Sequence, residues 1–423
     1  MARKDKSANP RDRRTVEDLR KLHRFAFLSH LRRAGEAAAA PKHAEESIFA
    51  DNKYWIFFRS YLAYLFNKKH YFPGESASPT HAMYPMAGDL GSDRVRIALA
   101  GDWATGTDES ARVAQNMQTF DPHYTIHLGD VYYVGGAAEV NENVLGIRNP
   151  INNYAPVTWP VGKIGSFALN GNHEMYANGT AYFEMILPNV GLRQDAYKMQ
   201  GQQTSFFCLQ NQYWRVIAID TGYNSVGFPV LNQVPIMNNL PFIRGNCKLH
   251  KKLIHWLQST VRAQDDNRGL VLLAHHQYYS GFEQRYCKPA QQLWQAGVQR
   301  HAVWFWGHEH RLVGYDLFGP DDLKVYGRCI GHGGMPIDIR SPKKGKPEPK
   351  FYDNRVNTEI SDGKEKFGMN GHVNLEFNGP TLKATYVDVH AAELLREEWQ
   401  VDASGNCRQT TYQPVLSDPD FHA

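Results

Sequence analysis

Cysteine is scarce in this chain of 423 residues. The five present (Cys208, Cys247, Cys287, Cys329 and Cys407) are odd in number, far apart and free of any Cys-x-x-Cys pair. That spacing argues against both a disulfide framework and a zinc knuckle. No apolar run approaches the ~20 residues that cross a bilayer. The start, Met1 to Arg14, is basic and polar with no apolar stretch behind it. A secretory leader is therefore not expected, and the cytoplasm is the simplest compartment. Internal repeats are absent, as are aromatic–basic nucleic-acid motifs. No Ser or Cys stands in a nucleophile context, which argues against covalent nucleophilic catalysis.

What is present is ordinary in bulk and uneven in detail. Hydrophobic residues make up 42% and charged residues 21%, a globular composition. The length is more than one compact core needs, which suggests a catalytic domain with additions. Net charge is +4, yet residues 1–33 hold eleven Lys/Arg against four Asp/Glu, so the remainder sums to about −3. A basic head of that kind is suited to weak contact with an anionic surface or a partner, although a solvated helix explains it equally well. Oligomeric state leaves no trace in the sequence.

Thr15-Val16-Glu17-Asp18 reads as a helix start, and Trp55, Phe58, Leu62 and Leu65 give a second helix over Asn52–Phe66. Residues 70–92, rich in Pro and Gly, read as a linker, so 1–92 is taken as a helical extension. From Val95 the texture changes. Val95–Ala100, Tyr124–Leu128, Ile164–Asn170, Gly269–Ala274 and Ala302–Trp306 are short apolar runs, with helices expected over Glu109–Phe120 and Leu249–Ala263. Strands alternating with helices predict an α/β fold with functional residues at strand ends. Two hairpins are expected, one around Asn211-Gln212 and one between Val373–Phe377 and Leu382–Val387 with an Asn378-Gly379 turn. A further strand over Leu395–Val401 completes a second sheet. Ser341–Pro347 is a basic, proline-rich loop. The catalytic domain is expected over 93–405, with 406–423 as a C-terminal tail.

Each apolar run delivers a polar cluster. In order these are Gly101-Asp102, Gly129-Asp130-Val131-Tyr132-Tyr133, Gly171-Asn172-His173-Glu174, His275-His276 and Gly307-His308-Glu309-His310. A glycine before each aspartate lets the chain turn off the strand and project the carboxylate. Asp130 can offer one oxygen to each of two cations about 3.5–4 Å apart. Asn172 adds a neutral oxygen, and the imidazoles suit iron, zinc or manganese better than calcium. His308 and His310 stand at i and i+2, which share a face on an extended segment.

The set resembles the calcineurin-like metallophosphoesterase superfamily and is most similar to its purple acid phosphatase branch. Asp102-Trp103-Ala104 lacks the histidine usual in the first motif, and Tyr133, three residues after Asp130, stands where the branch carries a compensating tyrosine. His332, in Gly331-His332-Gly333-Gly334, departs from the branch's Asp or Ala. The resemblance covers roughly residues 93–400 and implies a four-layer α/β/β/α sandwich of two mixed sheets. It implies a first metal held by Asp102, Asp130, Tyr133 and His310, and a second by Asp130, Asn172, His275 and His308. A tyrosinate points to Fe(III) as the first ion, with Zn, Mn or Fe(II) as the second. The implied activity is phosphomonoester hydrolysis by metal-activated hydroxide on a small phosphorylated substrate. His173 is the leading candidate to stabilise the phosphoryl group or protonate the leaving oxygen, with Glu174 either orienting it or capping a helix. His276 and His332 are weaker catalytic candidates. Phosphodiester cleavage, on a cyclic nucleotide or nucleic acid, is the runner-up. A non-catalytic regulatory module on this fold is a third reading.

Overall fold

Long apolar runs become strands buried on both faces, and here they stack into two sheets. The computed structural model describes residues 64, 67–73, 80–149, 155–226, 246–361 and 366–423. The helices expected from Thr15 and over Asn52–Phe66 fall, apart from Tyr64, outside the described residues. In chain order the first strands are β1 (Met83–Pro85), β2 (Arg94–Ala100), β3 (Tyr124–His127), β4 (Gly165–Ala168), β5 (Gly191–Leu192), β6 (Phe207–Gln210), β7 (Trp214–Ala218), β8 (Gly269–Ala274) and β9 (Ala302–Trp306). They are followed by β10 (Leu312–Phe318), β11 (Val325–Ile330), β12 (Phe351–Asp353), β13 (Gly371–Asn378), β14 (Thr381–Asp388), β15 (Glu393–Val401), β16 (Cys407–Pro414) and β17 (Phe421–His422).

One sheet runs β1-β6-β7-β8-β9-β11-β10-β12-β17 and the other β16-β15-β14-β13-β2-β3-β4-β5. Both are mixed. β2, β3 and β4 are parallel in one, and β7, β8, β9 and β11 in the other. Ile97, Ile126, Phe167, Val216, Val271, Phe305 and Val373 fill the space between the sheets. Helices α1 (Asp108–Thr119) and α2 (Ala137–Asn143) cover the outer face of the second sheet, where Val113, Met117 and Val140 pack on Ala98, Ala100 and Ala168. A short helix, α3 (Asn172–Tyr176), follows β4 directly. Helices α4 (Lys251–Trp256) and α5 (Cys287–Gln295) cover the first sheet, with Leu253, Trp256 and Leu293 on Ile217, Leu272 and Trp304. The layers are therefore α/β/β/α, as expected.

The boundaries differ from the sequence reading. The expected linker contains β1, which pairs in parallel with β6, and Phe72 is buried against the outer core. His70 stacks on Phe183 with centroids 4.6 Å apart. At the other end, residues 406–423 are not a tail, because β16 extends one sheet beside β15 and β17 closes the other beside β12. The β13–β14 hairpin pairs Asn378 with Thr381, so its turn is Gly379-Pro380 and not Asn378-Gly379. Proline fixes a negative φ, and Gly379 supplies the positive one at +55°. Among the described residues no helix is long and apolar enough to cross a membrane.

Candidate metal centre

Parallel strands put their C-terminal ends on one edge of the sandwich, and β2, β3, β4, β8 and β9 each deliver one polar cluster there. The turn off each strand is sharp. Asp102, Asp130 and His308 themselves take left-handed φ of 55°, 72° and 66°, costly backbone that other contacts must hold. Gly129 is left-handed too, at φ +98°, while Gly171 and Gly307 serve close approach. A Cβ on Gly171 would stand 2.1 Å from Asp130 Oδ1, and one on Gly307 2.4 Å from Asp102 Oδ2.

Asp130 is the hub. Its Oδ1 faces His275 Nε2 at 3.2 Å and accepts the His173 N–H at 2.9 Å. Its Oδ2 accepts a tyrosine hydroxyl at 2.9 Å. Around Oδ1 gather His275, Asn172 (Oδ1 at 3.2 Å from His275 Nε2) and His308, whose ring lies 5.3 Å from that of His275. Around the other oxygen gather Asp102 and His310, 3.6 Å apart, and the same phenol. Nitrogen and oxygen atoms of Asp102, Asp130 and His275 lie within 4.8 Å of one another, as do those of His275, His276 and His308. The expected donors thus lie in one cluster, with one exception.

The exception is the tyrosine. The hydroxyl in the centre belongs to Tyr132, which donates to Asp102 Oδ1 at 2.8 Å and to Asp130 Oδ2, and lies 3.1 Å from His310 Nε2. Tyr133, the expected ligand, packs partly buried against Met335, Ile360 and Phe367. It touches the site through its backbone, its carbonyl 2.5 Å from His173 Nδ1. The reason is local. Val131 bridges in parallel to Ala104, and Tyr132 donates its N–H to the Ala104 carbonyl. Asp130 is left-handed and Tyr132 lies in the turn after this bridge, and that local backbone brings the Tyr132 hydroxyl back onto the Asp102 and Asp130 carboxylates. Glu139 then fixes the adjoining backbone by accepting the N–H groups of Tyr133, Val134 and Gly136. The His308–His310 segment departs the other way. It is a pair of tight turns, with Glu309 N–H on Gly307 and Arg311 N–H on Glu309. It sends His308 toward His275 and His310 toward Tyr132.

Electrostatics reflects crowded acids. Burial pushes Asp102 up to about 8, with Asp130 adding to the effect and His275 opposing it. Despite its burial, Asp130 is held well below the carboxylate range by His275 and His173. His275 rises to about 9 because Asp130 outweighs burial. Burial and the two carboxylates keep the Tyr132 phenol far above its usual value. Protons held on Asp102 and His275 are a poor substitute for cations, and a carboxylate–imidazole–amide set of this kind suits two divalent or trivalent ions. His275 is ready to bind through Nε2, since its Nδ1 is 2.9 Å from the Leu128 carbonyl.

The candidate catalytic histidines lie on either side. The His173 ring lies tilted against that of Tyr132, with centroids 4.3 Å apart; its Nε2 is 3.9 Å from Asp130, and burial lowers its pKa. His276 stands 4.5 Å from the His308 ring and 3.1 Å from Thr221 Oγ1. Burial, with His308 and His275, holds it well below the usual imidazole value. Glu174 does not orient His173; its Oε2 accepts the N–H groups of Gly171 and Asp130, so it caps α3 and braces the hub. His332 lies outside the cluster, buried with its ring beside Gly371 and lowered to about 3 by burial and His372. Sequence reasoning missed Tyr132 and also Thr221. The first has no signal in residue spacing, because the turn after the Val131–Ala104 bridge decides where its ring goes. Thr221 carries no motif and is seen only once β7 and β8 are adjacent.

Comparison with known proteins agrees with this geometry. No curated protein matches the chain. Among solved structures, GAP50, the anchor in the inner membrane complex of Plasmodium, is 14% identical with a TM-score of 0.46, covering 73% of this chain and 89% of that one. PhoD is 13% identical with a TM-score of 0.43, covering 78% and 73%. A 5'-nucleotidase from Candida albicans is 11% identical with a TM-score of 0.30, covering 79% and 54%. Residues 95–312, from the second strand to the start of β10 and containing every donor named above, match the calcineurin-like phosphoesterase family, and the chain belongs to it.

Proposed function

We propose that the protein is a dinuclear metal-dependent phosphomonoesterase of the purple acid phosphatase type, with Tyr132 in place of the expected Tyr133. The observation that carries this reading is Asp130, whose two oxygens face two separate donor groups. Asp102, Asp130, Tyr132 and His310 would hold one ion, and Asp130, Asn172, His275 and His308 the other. The bound pair would supply Lewis-acid polarisation of the phosphoryl group and an activated water. Fe(III) fits the phenol-bearing site, and Zn, Mn or Fe(II) the other.

The chain's own residues do the rest. With Nδ1 on the Tyr133 carbonyl, His173 presents Nε2 to the cleft, where it can hydrogen-bond a phosphoryl oxygen or pass a proton to the leaving oxygen. Its neutral resting state suits it to gain that proton as the substrate's negative charge arrives. His276, steadied by Thr221, stands beside the second donor group and would position rather than ligate. The test is metal analysis and a visible spectrum, then phosphate release from p-nitrophenyl phosphate. Two ions per chain and a tyrosinate charge-transfer band removed by Tyr132→Phe but kept in Tyr133→Phe are expected. A fully metallated, oxidised protein without that band would make the site a Mn or Zn centre. A metallated protein releasing no phosphate from a broad ester panel would sink the enzymatic reading.

A further inference from the structure

Two adjacent histidines, His275 and His276, leave the same strand end with different partners on Nδ1. For His275 the partner is the Leu128 carbonyl, 2.9 Å away. A carbonyl only accepts, so that nitrogen carries the proton and Nε2 presents a lone pair to a metal. For His276 the partner is a hydroxyl, Thr221 Oγ1, 3.1 Å from Nδ1.

A hydroxyl can donate or accept, and here its other bond decides. Thr221 Oγ1 already accepts the backbone N–H of His276 at 3.0 Å. Thr221 is fully buried, and among the described residues its hydroxyl has no further partner. The hydroxyl proton therefore has one acceptor, the Nδ1 lone pair. A proton on Nδ1 would leave the hydroxyl proton unpaired in the interior, a costly arrangement. The ring proton of His276 thus sits on Nε2.

The hydroxyl is held in place by the fold. β7 and β8 run parallel, and Ile219 N–H extends their ladder to the Leu273 carbonyl at 2.9 Å, which brings Thr221 level with His276. Asp220 Oδ1 accepts the Tyr223 N–H at 2.8 Å, and a Cβ on Gly222 would stand 2.3 Å from the Asn170 carbonyl oxygen. This turn leans on the strand end that carries Asn172. At the far end of the ring, His276 Nε2 has no partner among the described residues and, unlike the nitrogens of His332, is not sealed from solvent. The His308 ring is 4.5 Å away. His276 therefore offers an N–H, and not a lone pair, beside the second donor group.

We infer that Thr221 is a positioning residue that holds His276 as a standing Nε2–H donor for a phosphoryl oxygen of the substrate. The two histidines of the cleft then divide the work. His173 has its Nδ1 on a carbonyl, so its neutral form can only accept at Nε2 and donates after gaining a proton. His276 donates in its neutral form. It is also excluded as a ligand, although one of its nitrogens lies within 4.8 Å of those of His275 and His308. The inference rests on the phosphoesterase reading above and deepens it.

The test uses full-length, zinc-loaded protein carrying nitrogen-15 histidine. Long-range proton–nitrogen correlation spectra separate the two neutral tautomers, and His276→Gln assigns the signal. Wild type should show His276 protonated at Nε2 and bare at Nδ1. Thr221→Val keeps the shape and removes the hydroxyl. It should mix the tautomers and retain both ions. It should also lower kcat/KM for p-nitrophenyl phosphate and affinity for inorganic phosphate by about tenfold. Thr221→Ser should restore the tautomer, the turnover and the affinity. A wild-type His276 with its proton on Nδ1 would overturn the proposal. So would loss of an ion in Thr221→Val, which would make His276 a ligand. Mixed tautomers with unchanged turnover and phosphate affinity would overturn the donor role. No phosphate release from any ester would remove the phosphoesterase reading, while a phosphate affinity that still falls in Thr221→Val would uphold the donor.

Discussion

Two buried charge clusters occupy one sandwich and are built on opposite principles. Arg328, on β11, and Glu397, on β15, are both fully buried between the sheets and paired twice, at 2.7 and 2.6 Å. Arg328 also donates to the Tyr315 and Gly327 carbonyls, and Glu397 also accepts from Tyr386 and Gln409. Despite burial, Glu397 pushes the Arg328 guanidinium further up, so it stays charged. Three residues along the same strand end, Gly331 borders Asp102 and the second cluster begins. There the acids outnumber fixed cations, and only titratable imidazoles and a phenol surround them. The first cluster is complete in itself. The second is complete only with ions, which is what distinguishes a structural charge from a functional one here.

Breaking the closed cluster should do most damage. Arg328→Ala leaves Glu397 buried and uncompensated, at a cost of about 3–5 kcal/mol in denaturant unfolding. Replacing both, Arg328→Met with Glu397→Leu, should recover most of that loss. If the double variant is as unstable as the single one, the pair is not self-contained and the contrast fails. The open cluster should respond differently. Asp130→Asn removes the hub's charge, and metal affinity should fall by more than about a hundredfold, since even outer partners of a ligand cost about ten- to a hundredfold. Metal content after dialysis and phosphate release should fall together, while the metal-free melting temperature falls much less than in Arg328→Ala, by the loss of the Asp130–His275 pair alone. A metal-free Asp130→Asn protein that unfolds would make Asp130 a structural residue after all.

The same contrast explains what was legible. Buried parallel strands are continuous apolar runs, so β2, β3, β4, β8 and β9 and the donors at their ends could be read directly. Polar edge strands could not. β16 alternates without an apolar face and reads as a tail, and β1 is three residues in a proline-rich stretch. Within the site, residue types were legible but local backbone was not. Tyr132 and Tyr133 are identical in chemistry, and it is the local backbone after Asp130 that brings the Tyr132 hydroxyl to the two carboxylates. The left-handed turns at Asp102, Asp130 and His308 are likewise set by neighbouring strands and not by their own sequence.

The smallest effect probes the balance of the open cluster most directly. Without metal, burial pushes Asp102 up to about 8, and Asp130 draws His275 up to about 9 against its burial. Both groups therefore hold protons more tightly folded than unfolded, where the ordinary values are 3.8 and 6.5. Their stabilisation is complete below the unfolded values and is lost as pH rises through the folded ones. Between pH 6.5 and 9 the melting temperature of chelator-treated protein should thus decline. Saturating metal displaces these protons and should flatten or reverse the decline. Asp102→Asn cannot gain that charge, so its metal-free form should melt about 2 °C or more above wild type at pH 8.5 and show a shallower slope. The residual slope belongs to His275 and to Glu174, whose carboxyl burial also pushes up to about 8. A metal-free wild type whose melting temperature is level across this window would mean the acids are already balanced, and the centre would then resemble the Arg328–Glu397 pair more than a site awaiting cations.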